Sequence, residues 1–289
     1  MRKPLFTGVC TALVTPFQNG EIHYDMLEKI LERQLHAGVK AIVVAGTTGE
    51  SSTLSDSEKI ELFRMCKEHV GDRCLVIAGT GSNHTAHSIK LSKAAQDAGG
   101  DALLVVSPYY NKATPDGLIL HYSAIAQAVS IPVILYNVPS RTGVDIPVHV
   151  YQELSKIPNI VGVKEANPDI TKIARIRNAC GQDFSIWSGN DDQTVPVMSM
   201  GGQGVISVLS NILPVETVTM CSAAIRGDFK TAAEQQCRLL PLIDALFSEV
   251  NPIPAKAAMK LIGLDCGSCR LPLCDIGAEN LEKLKKCIK

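Results

Sequence analysis

No long run of one charge sign interrupts this 289-residue chain, whose 28 basic and 29 acidic residues leave a formal net charge of −1 at pH 7. A basic face able to neutralise phosphates is therefore missing, and nucleic acid is not an expected partner. No apolar stretch approaches the roughly 20 residues needed to cross a bilayer. The opening segment, MRKPLFTGVC, has neither the apolar region nor the small-residue cleavage site of a signal peptide. The expectation is a cytoplasmic protein away from membranes. The ten cysteines are scattered without a secretion signal and read as ordinary thiols in a reducing compartment rather than as a disulfide framework. Their one dense group, Cys266, Cys269 and Cys274 with Cys287 beyond, offers no evident fourth ligand at the spacing of a tetrahedral zinc site. The seven histidines are dispersed, and no carboxylate cluster has metal-ligand spacing, so metal-dependent chemistry is disfavoured. Gly79-Thr80-Gly81 lacks the third glycine of a dinucleotide fingerprint. No metal and no nucleotide cofactor is expected.

What the chain has is hydrophobic residues, 46% of the total, enough for one large core. Short β-rich apolar runs recur at 8–14, 41–45, 75–78, 102–106, 133–136, 160–164, 184–187 and 204–208, with helix-period segments between them. Several of those segments carry start signals: Ser55 with Glu58 as a capping box, Thr114 before Pro115, and Asp145 and Leu213 ahead of proline-led helices. Strand, helix, strand at this spacing means parallel pairing through crossovers. Eight such units in about 225 residues fit a closed (β/α)8 TIM barrel better than an open doubly wound sheet. Beyond residue 228 the strand signals stop. Three helical stretches follow, at 229–249, 254–262 and 278–286, with no low-complexity linker before them. The expected organisation is a catalytic barrel over 1–227 and a small C-terminal helical module over 228–289, packed against it.

In such a barrel, reacting groups come from the C-terminal ends of strands and the loops that follow. Lys164 closes the run Ile160-Val161-Gly162-Val163-Lys164, and period-two alternation puts it on the side of Gly162, opposite Val161 and Val163. If the valines face the helices, Lys164 enters the barrel mouth. Tyr136 ends the preceding strand in the equivalent position. Thr47 and Thr48 follow the second strand in Gly46-Thr47-Thr48-Gly49-Glu50, where small residues expose backbone N–H groups able to hold a carboxylate. Tyr109 and Tyr110 follow the fourth strand. Taken singly, each is commonly a solvated charge, half-buried packing or a turn; five polar groups converging with Lys164 on one mouth is not. Met200-Gly201-Gly202-Gln203-Gly204 precedes the last strand, which assigns it to the opposite, stabilising end of the barrel.

These motifs, with Pro108-Tyr109-Tyr110-Asn111, Tyr136-Asn137-Val138-Pro139-Ser140-Arg141-Thr142-Gly143, Gly162-Val163-Lys164-Glu165-Ala166 and Ser188-Gly189-Asn190-Asp191, resemble the class I pyruvate aldolases and lyases of the dihydrodipicolinate synthase and N-acetylneuraminate lyase type. The resemblance runs over essentially the whole chain. It implies a lyase that captures pyruvate as a Schiff base on Lys164, with no cofactor beyond that covalent imine. Imine formation needs a neutral amine, which a lysine near its ordinary pKa of about 10.4 rarely presents at neutral pH. Desolvation in a barrel mouth moves the balance toward the amine. By resemblance Tyr136 relays protons, Thr47 orients it, and Tyr110 completes the relay from a neighbouring subunit. Thr48 holds the pyruvate carboxylate, and Gly189 and Ile206 line the substrate site. Arg141 discriminates within the family, because its planar guanidinium suits a carboxylated second substrate and the sugar-acid lyases usually lack it. The expectation is therefore condensation of pyruvate with L-aspartate 4-semialdehyde on the route to diaminopimelate and lysine. The alternative is release of pyruvate from a 2-keto-3-deoxy sugar acid or a sialic acid.

The resemblance also implies a homo-oligomer, a tetramer of two tight dimers, and positions where many relatives bind feedback lysine: Ser51, Ser52, Asp56, Lys59, Asn83, His87 and Tyr109. Positions 52, 56 and 59 follow an i, i+4, i+7 line, and Asn83 and His87 lie one turn apart. The chemistry differs from that of lysine-sensitive relatives, which place an acid where this chain has His87. Lysine is expected to leave this protein largely unaffected.

Overall fold

A computed structural model describes residues 3–288. In chain order its elements are β1 (Gly8–Ala12), a small hairpin of β2 (Phe17–Gln18) and β3 (Glu21–Ile22), α1 (Tyr24–His36), β4 (Ala41–Val44), α2 (Asp56–Val70), β5 (Leu75–Gly79) and α3 (Thr85–Asp97). Then come β6 (Ala102–Val106), α4 (Pro115–Gln127), β7 (Val133–Asn137), α5 (Pro139–Thr142), α6 (Val148–Leu154), β8 (Ile160–Glu165), α7 (Thr171–Cys180), β9 (Ser185–Ser188), α8 (Thr194–Ser199), β10 (Gly204–Ser207) and α9 (Pro214–Ile225). Three helices complete the chain: α10 (Phe229–Leu246), α11 (Ile253–Leu261) and α12 (Ala278–Cys287). Apart from the hairpin, the strands close into a barrel in the order β1-β10-β9-β8-β7-β6-β5-β4, every neighbour parallel. All eight apolar runs of the sequence are its strands, with ends shifted by no more than two residues.

Both faces of each strand are buried, which is why these runs are continuously apolar rather than alternating. Parity still sorts the side chains. Val9, Ile42, Val76, Leu103, Leu135, Val163, Ile186 and Val205 pack outward against the helices, whereas Cys10, Val43, Ile77, Leu104, Ile134, Trp187 and Ile206 fill the barrel. Within it, Phe6 stacks on Trp187 with ring centroids 4.7 Å apart. At the N-terminal end of β10, Gly204 accepts a neighbour so close that a Cβ would meet the Gly8 carbonyl oxygen at 1.9 Å. The Gly201–Gly204 cluster is turn and packing chemistry at the base, as expected. The C-terminal helices share the outer core: Leu239, Leu242 and Leu246 of α10, Met259 of α11 and Leu284 of α12 belong to it.

Local signals hold with two exceptions. Ser55 and Glu58 form the full capping box of α2, and Thr114 caps α4 ahead of Pro115. Asp145, however, starts no helix. Pro147 occupies the N-cap of α6, and the Asp145 carboxylate instead accepts from Asn137 Nδ2 and pairs with Lys172. The second exception is the two valines of β8. Val163 faces the helices, but Val161 faces the barrel interior. A register shift between β7 and β8 explains it: Val133 pairs with Ile160 while Ile134 pairs with Gly162, leaving Val161 as an inserted residue. Parity resumes at Gly162, where a Cβ would meet the Ser185 carbonyl oxygen at 2.2 Å, so glycine is needed at this bulge.

Candidate active site

Past the bulge, Lys164 enters the barrel at the C-terminal end of β8. It is only 5% exposed. Its register neighbours are Tyr136 on β7 and Trp187 on β9. The Lys164 Nζ lies 4.4 Å from the centroid of the Tyr136 ring, over its electron-rich face. Adjacent strands thus bring together the amine and the phenol that the sequence singled out. An amine held beside a phenol in a water-poor pocket suits Schiff-base formation with a carbonyl compound and proton transfer at the adduct. Ile206 of β10, fully buried, belongs to the same inner cluster as Tyr136. Gly189 follows β9 directly. A Cβ there would come within 2.7 Å of the Ala166 Cβ, so glycine keeps that wall thin.

Around Lys164 stand two buried carboxyls. Glu165 points outward and accepts from Asn137 Nδ2 at 2.7 Å, Tyr151 Oη at 2.9 Å and the Asn167 amide at 2.9 Å. Burial raises its pKa, and the nearby Lys172 ammonium opposes the rise. Asp191 accepts from the amides of Val208 and Leu209 through Oδ2. Burial raises its pKa too, opposed by Ser207, by those amides and by the Lys164 charge. Both carboxyls hold loops at the mouth: Glu165 ties the ends of β7 and β8 together, and Asp191 fixes the turn after β10.

The Gly46–Glu50 loop follows β4. Thr47 and Tyr136 line a small cavity of about 30 Å³, and Thr48 is buried. The sequence reading missed what holds this loop. Asn251, just ahead of α11, donates from Nδ2 to Thr48 Oγ1 at 2.9 Å, and its backbone oxygen accepts from Arg141 Nη2 at 3.4 Å. Lys256 on α11 pairs with Glu50 at 2.5 Å, with both side chains almost fully buried. The Arg270 amide donates to the other Glu50 oxygen at 2.8 Å, and the Arg270 guanidinium pairs with Glu58 at 2.6 Å. That pair holds the Glu58 carboxyl down at about 2. The Asn251-Pro252 pair ahead of a helix was the available signal, but nothing in the sequence pointed from it to a loop some 200 residues earlier.

Arg141 sits on the short helix α5 and lines a cleft of about 500 Å³ together with Thr47, Ser51, Ser52, Asp56, Lys59, His87 and Tyr109. Six of the seven candidate lysine positions therefore do share one cleft. Asn83 does not line it; its backbone oxygen accepts from Asn111 Nδ2. Ser52 and Asn83 also precede their helices rather than lying on them, because α2 begins at Asp56 and α3 at Thr85. Across the cleft His87 Nε2 pairs with Asp56 at 2.9 Å, an interaction that lowers the Asp56 pKa. Burial lowers the pKa of Lys59, against the pull of Asp56 and Glu58. Tyr110 is not brought into the mouth: it is 90% exposed, with a left-handed φ of 70°. The ten cysteines are free, and among the described residues no group of three His, Cys, Asp or Glu side chains is placed to hold a metal.

Comparison with known proteins agrees with this geometry. The model of the dihydrodipicolinate synthetase family matches residues 5–289. The chain is 47% identical over 289 residues to a 4-hydroxy-tetrahydrodipicolinate synthase of Acetivibrio thermocellus, covering 100% of this chain and 98% of the relative. It is 51% identical over 286 residues to the enzyme of that name from Caldicellulosiruptor saccharolyticus, covering 99% and 97%. Among solved structures, the dihydrodipicolinate synthase of Cyanidioschyzon merolae with lysine bound superposes with a TM-score of 0.96 at 43% identity, covering 99% of this chain and 98% of the other.

Proposed function

Because the chain belongs to the dihydrodipicolinate synthetase family, we propose that its reaction is that of a 4-hydroxy-tetrahydrodipicolinate synthase, the condensation of pyruvate with L-aspartate 4-semialdehyde on the route to diaminopimelate and lysine. The observation that carries the reading is Lys164, buried at the C-terminal end of a closed parallel barrel with its amine against the Tyr136 ring. The Lys164 amine adds to the pyruvate ketone, and loss of water gives an imine. A methyl proton then leaves through Tyr136, and the resulting enamine attacks the aldehyde carbon of the semialdehyde. The amino group of the adduct displaces Lys164, closing the ring and freeing the enzyme.

In this reading Thr48 and the amides of its loop hold the pyruvate carboxylate, Arg141 the carboxylate of the semialdehyde, and Gly189 and Ile206 wall the pocket. Thr47 orients Tyr136. Tyr110, exposed on its own subunit, serves the site of a neighbour, so the working unit is at least a dimer and the assembly a tetramer of two tight dimers. The imine is itself the electron sink, and the reading calls for no cofactor. The barrel, 1–227, carries the reacting groups, and the module, 228–289, braces them. No helix among the described residues is long and apolar enough to cross a membrane; a cytoplasmic location fits the biosynthetic role.

Borohydride added with pyruvate tests the mechanism. A reduced adduct on Lys164, absent from the Lys164→Ala variant, is expected, and an adduct elsewhere overturns the assignment. Turnover of pyruvate with aspartate semialdehyde, compared with N-acetylmannosamine and small sugar aldehydes, tests the substrate. Preference for either of the latter would replace the synthase by a sugar-acid lyase.

A further inference from the structure

Thr48 carries one hydroxyl proton, and what it can offer a ligand depends on what its oxygen already accepts. Here Thr48 Oγ1 accepts from Asn251 Nδ2 at 2.9 Å, with both residues buried. The amide contributes little else to the fold: its Oδ1 is buried and has no hydrogen-bond partner, and Thr48 is the one partner of Nδ2 among the described residues. A buried amide left half-satisfied costs stability, so a purely structural role accounts poorly for it. The same residue touches the second carboxylate-binding candidate, since its backbone oxygen accepts from Arg141 Nη2 at 3.4 Å.

We infer that Asn251 is a positioning residue for pyruvate capture: by donating to the Thr48 oxygen it turns the Thr48 hydroxyl proton toward the site, where it is given to the pyruvate carboxylate. A hydroxyl that already accepts from an amide is also polarised into a better donor. Without Nδ2 the Thr48 proton is free to rotate, and the carboxylate meets a hydroxyl oriented no better than in water. The backbone contact to Arg141 does not depend on the Asn251 side chain. The effect therefore falls on the first substrate rather than the second. This inference rests on the assignment of Thr48 to the pyruvate carboxylate made above.

A double-mutant cycle on the full-length enzyme tests it. Asn251→Leu keeps the side-chain volume and removes the donor. It is expected to raise the KM for pyruvate by about three- to tenfold, the loss of one neutral hydrogen bond, with kcat changed less than about twofold and the KM for the semialdehyde unmoved. Thr48→Val is expected to raise the pyruvate KM by at least as much. In the Thr48→Val background, Asn251→Leu should then add nothing, because the proton that it orients is gone. If Thr48→Val leaves the pyruvate KM unchanged, the Thr48 assignment itself fails. If Thr48→Val raises it and Asn251→Leu does not, or if the two effects multiply, the assignment stands and the positioning role of Asn251 is overturned. Should Asn251→Leu fold poorly, Asn251→Gln serves as the second variant. With its amide displaced by one methylene it should also raise the pyruvate KM in the Thr48 background alone, and a fall in kcat common to both backgrounds would mark a merely structural residue.

Discussion

Replacing Lys256 by methionine would leave the Glu50 carboxylate buried without its countercharge. In the native structure the two groups are 2.5 Å apart, with side chains 4% and 1% exposed. The Lys256 Nζ also lies 4.2 Å over the Phe17 ring. Methionine preserves most of the stem volume, so the cost is electrostatic rather than a cavity. Breaking a buried pair by removing one partner typically costs about 3–5 kcal/mol. Unfolding entropy near 60 °C is about 2.1 cal/mol/K per residue, which over this chain length is roughly 0.6 kcal/mol/K; the Tm should fall by about 5–8 °C. The measurement is calorimetric melting of wild type, Lys256→Met, Glu50→Gln and the double variant. The double variant should melt above Lys256→Met, because a neutral amide at position 50 still accepts from the Arg270 amide, a bond of 2.8 Å in the native protein, and leaves no charge stranded. A fall of less than about 2 °C for Lys256→Met, or a double variant whose loss is the sum of the singles, would refute the view that this pair holds the loop carrying Thr47 and Thr48.

Arg141→Ala should raise the KM for aspartate semialdehyde by about 10- to 150-fold, the loss of a charged hydrogen bond of roughly 1.5–3 kcal/mol, while borohydride trapping of pyruvate on Lys164 survives; loss of trapping with an unchanged semialdehyde KM reverses its role. Millimolar L-lysine should leave steady-state rates largely unchanged, since His87 and Lys59 put basic groups in the cleft and the Asp56 carboxylate is already paired to His87; submillimolar inhibition, or a His87→Glu variant that gains no sensitivity, contradicts this cause. Burial pushes the pKa of His121 down to about 4, and its Nε2 has no partner. Its folded pKa lies below the unfolded value of about 6.5, so the unfolded chain takes up the proton first and stability is lost as pH falls from about 6.5 to 4, by roughly 3 kcal/mol. Urea midpoints across that window should fall less steeply for His121→Gln than for wild type, and parallel curves would show that His121 is not the group responsible.

The barrel was legible because each strand is buried on both faces and therefore appears as an uninterrupted apolar run, and because capping residues such as Ser55 and Thr114 act within one turn of where they stand. The β2–β3 hairpin went unseen because its strands have two residues each, too few for any period to show. The bulge at Val161 was equally invisible. Alternation counts residues and cannot reveal one that has been inserted, so it put Val161 opposite Lys164; Gly162 and Val163, past the bulge, are the neighbours from which the side of Lys164 reads correctly. Lys164 and Tyr136 were readable as a pair because strand adjacency is a consequence of topology. The cleft was half readable: residues on α2 converge with His87 on α3, but Asn83, before the helix, turns its backbone to Asn111 instead. Sequence comparison of His87 with an acid also left out its partner, and the Asp56 pairing became evident only in three dimensions.

What the sequence could not show is that the site loop is braced from the far end of the chain. The loop starts and ends in residues that pay a conformational penalty: Ala45 and Glu50 have φ of 52° and 57°, left-handed values that cost a non-glycine residue about 1–2 kcal/mol. Such a conformation persists only where its surroundings over-determine it. The barrel supplies one side-chain tie, from Thr15 Oγ1 to the Gly49 carbonyl oxygen at 2.7 Å, and β4 itself ends at Val44. Asn251 on Thr48, Lys256 on Glu50 and the Arg270 amide on the same carboxylate supply the missing constraints, across sequence separations of 203 for the first and 220 for the last. A barrel that ended at residue 227 would keep Lys164 and Tyr136 while losing every one of these contacts. The helical module is therefore part of what shapes the loop that carries Thr47 and Thr48, through residues that no barrel motif contains.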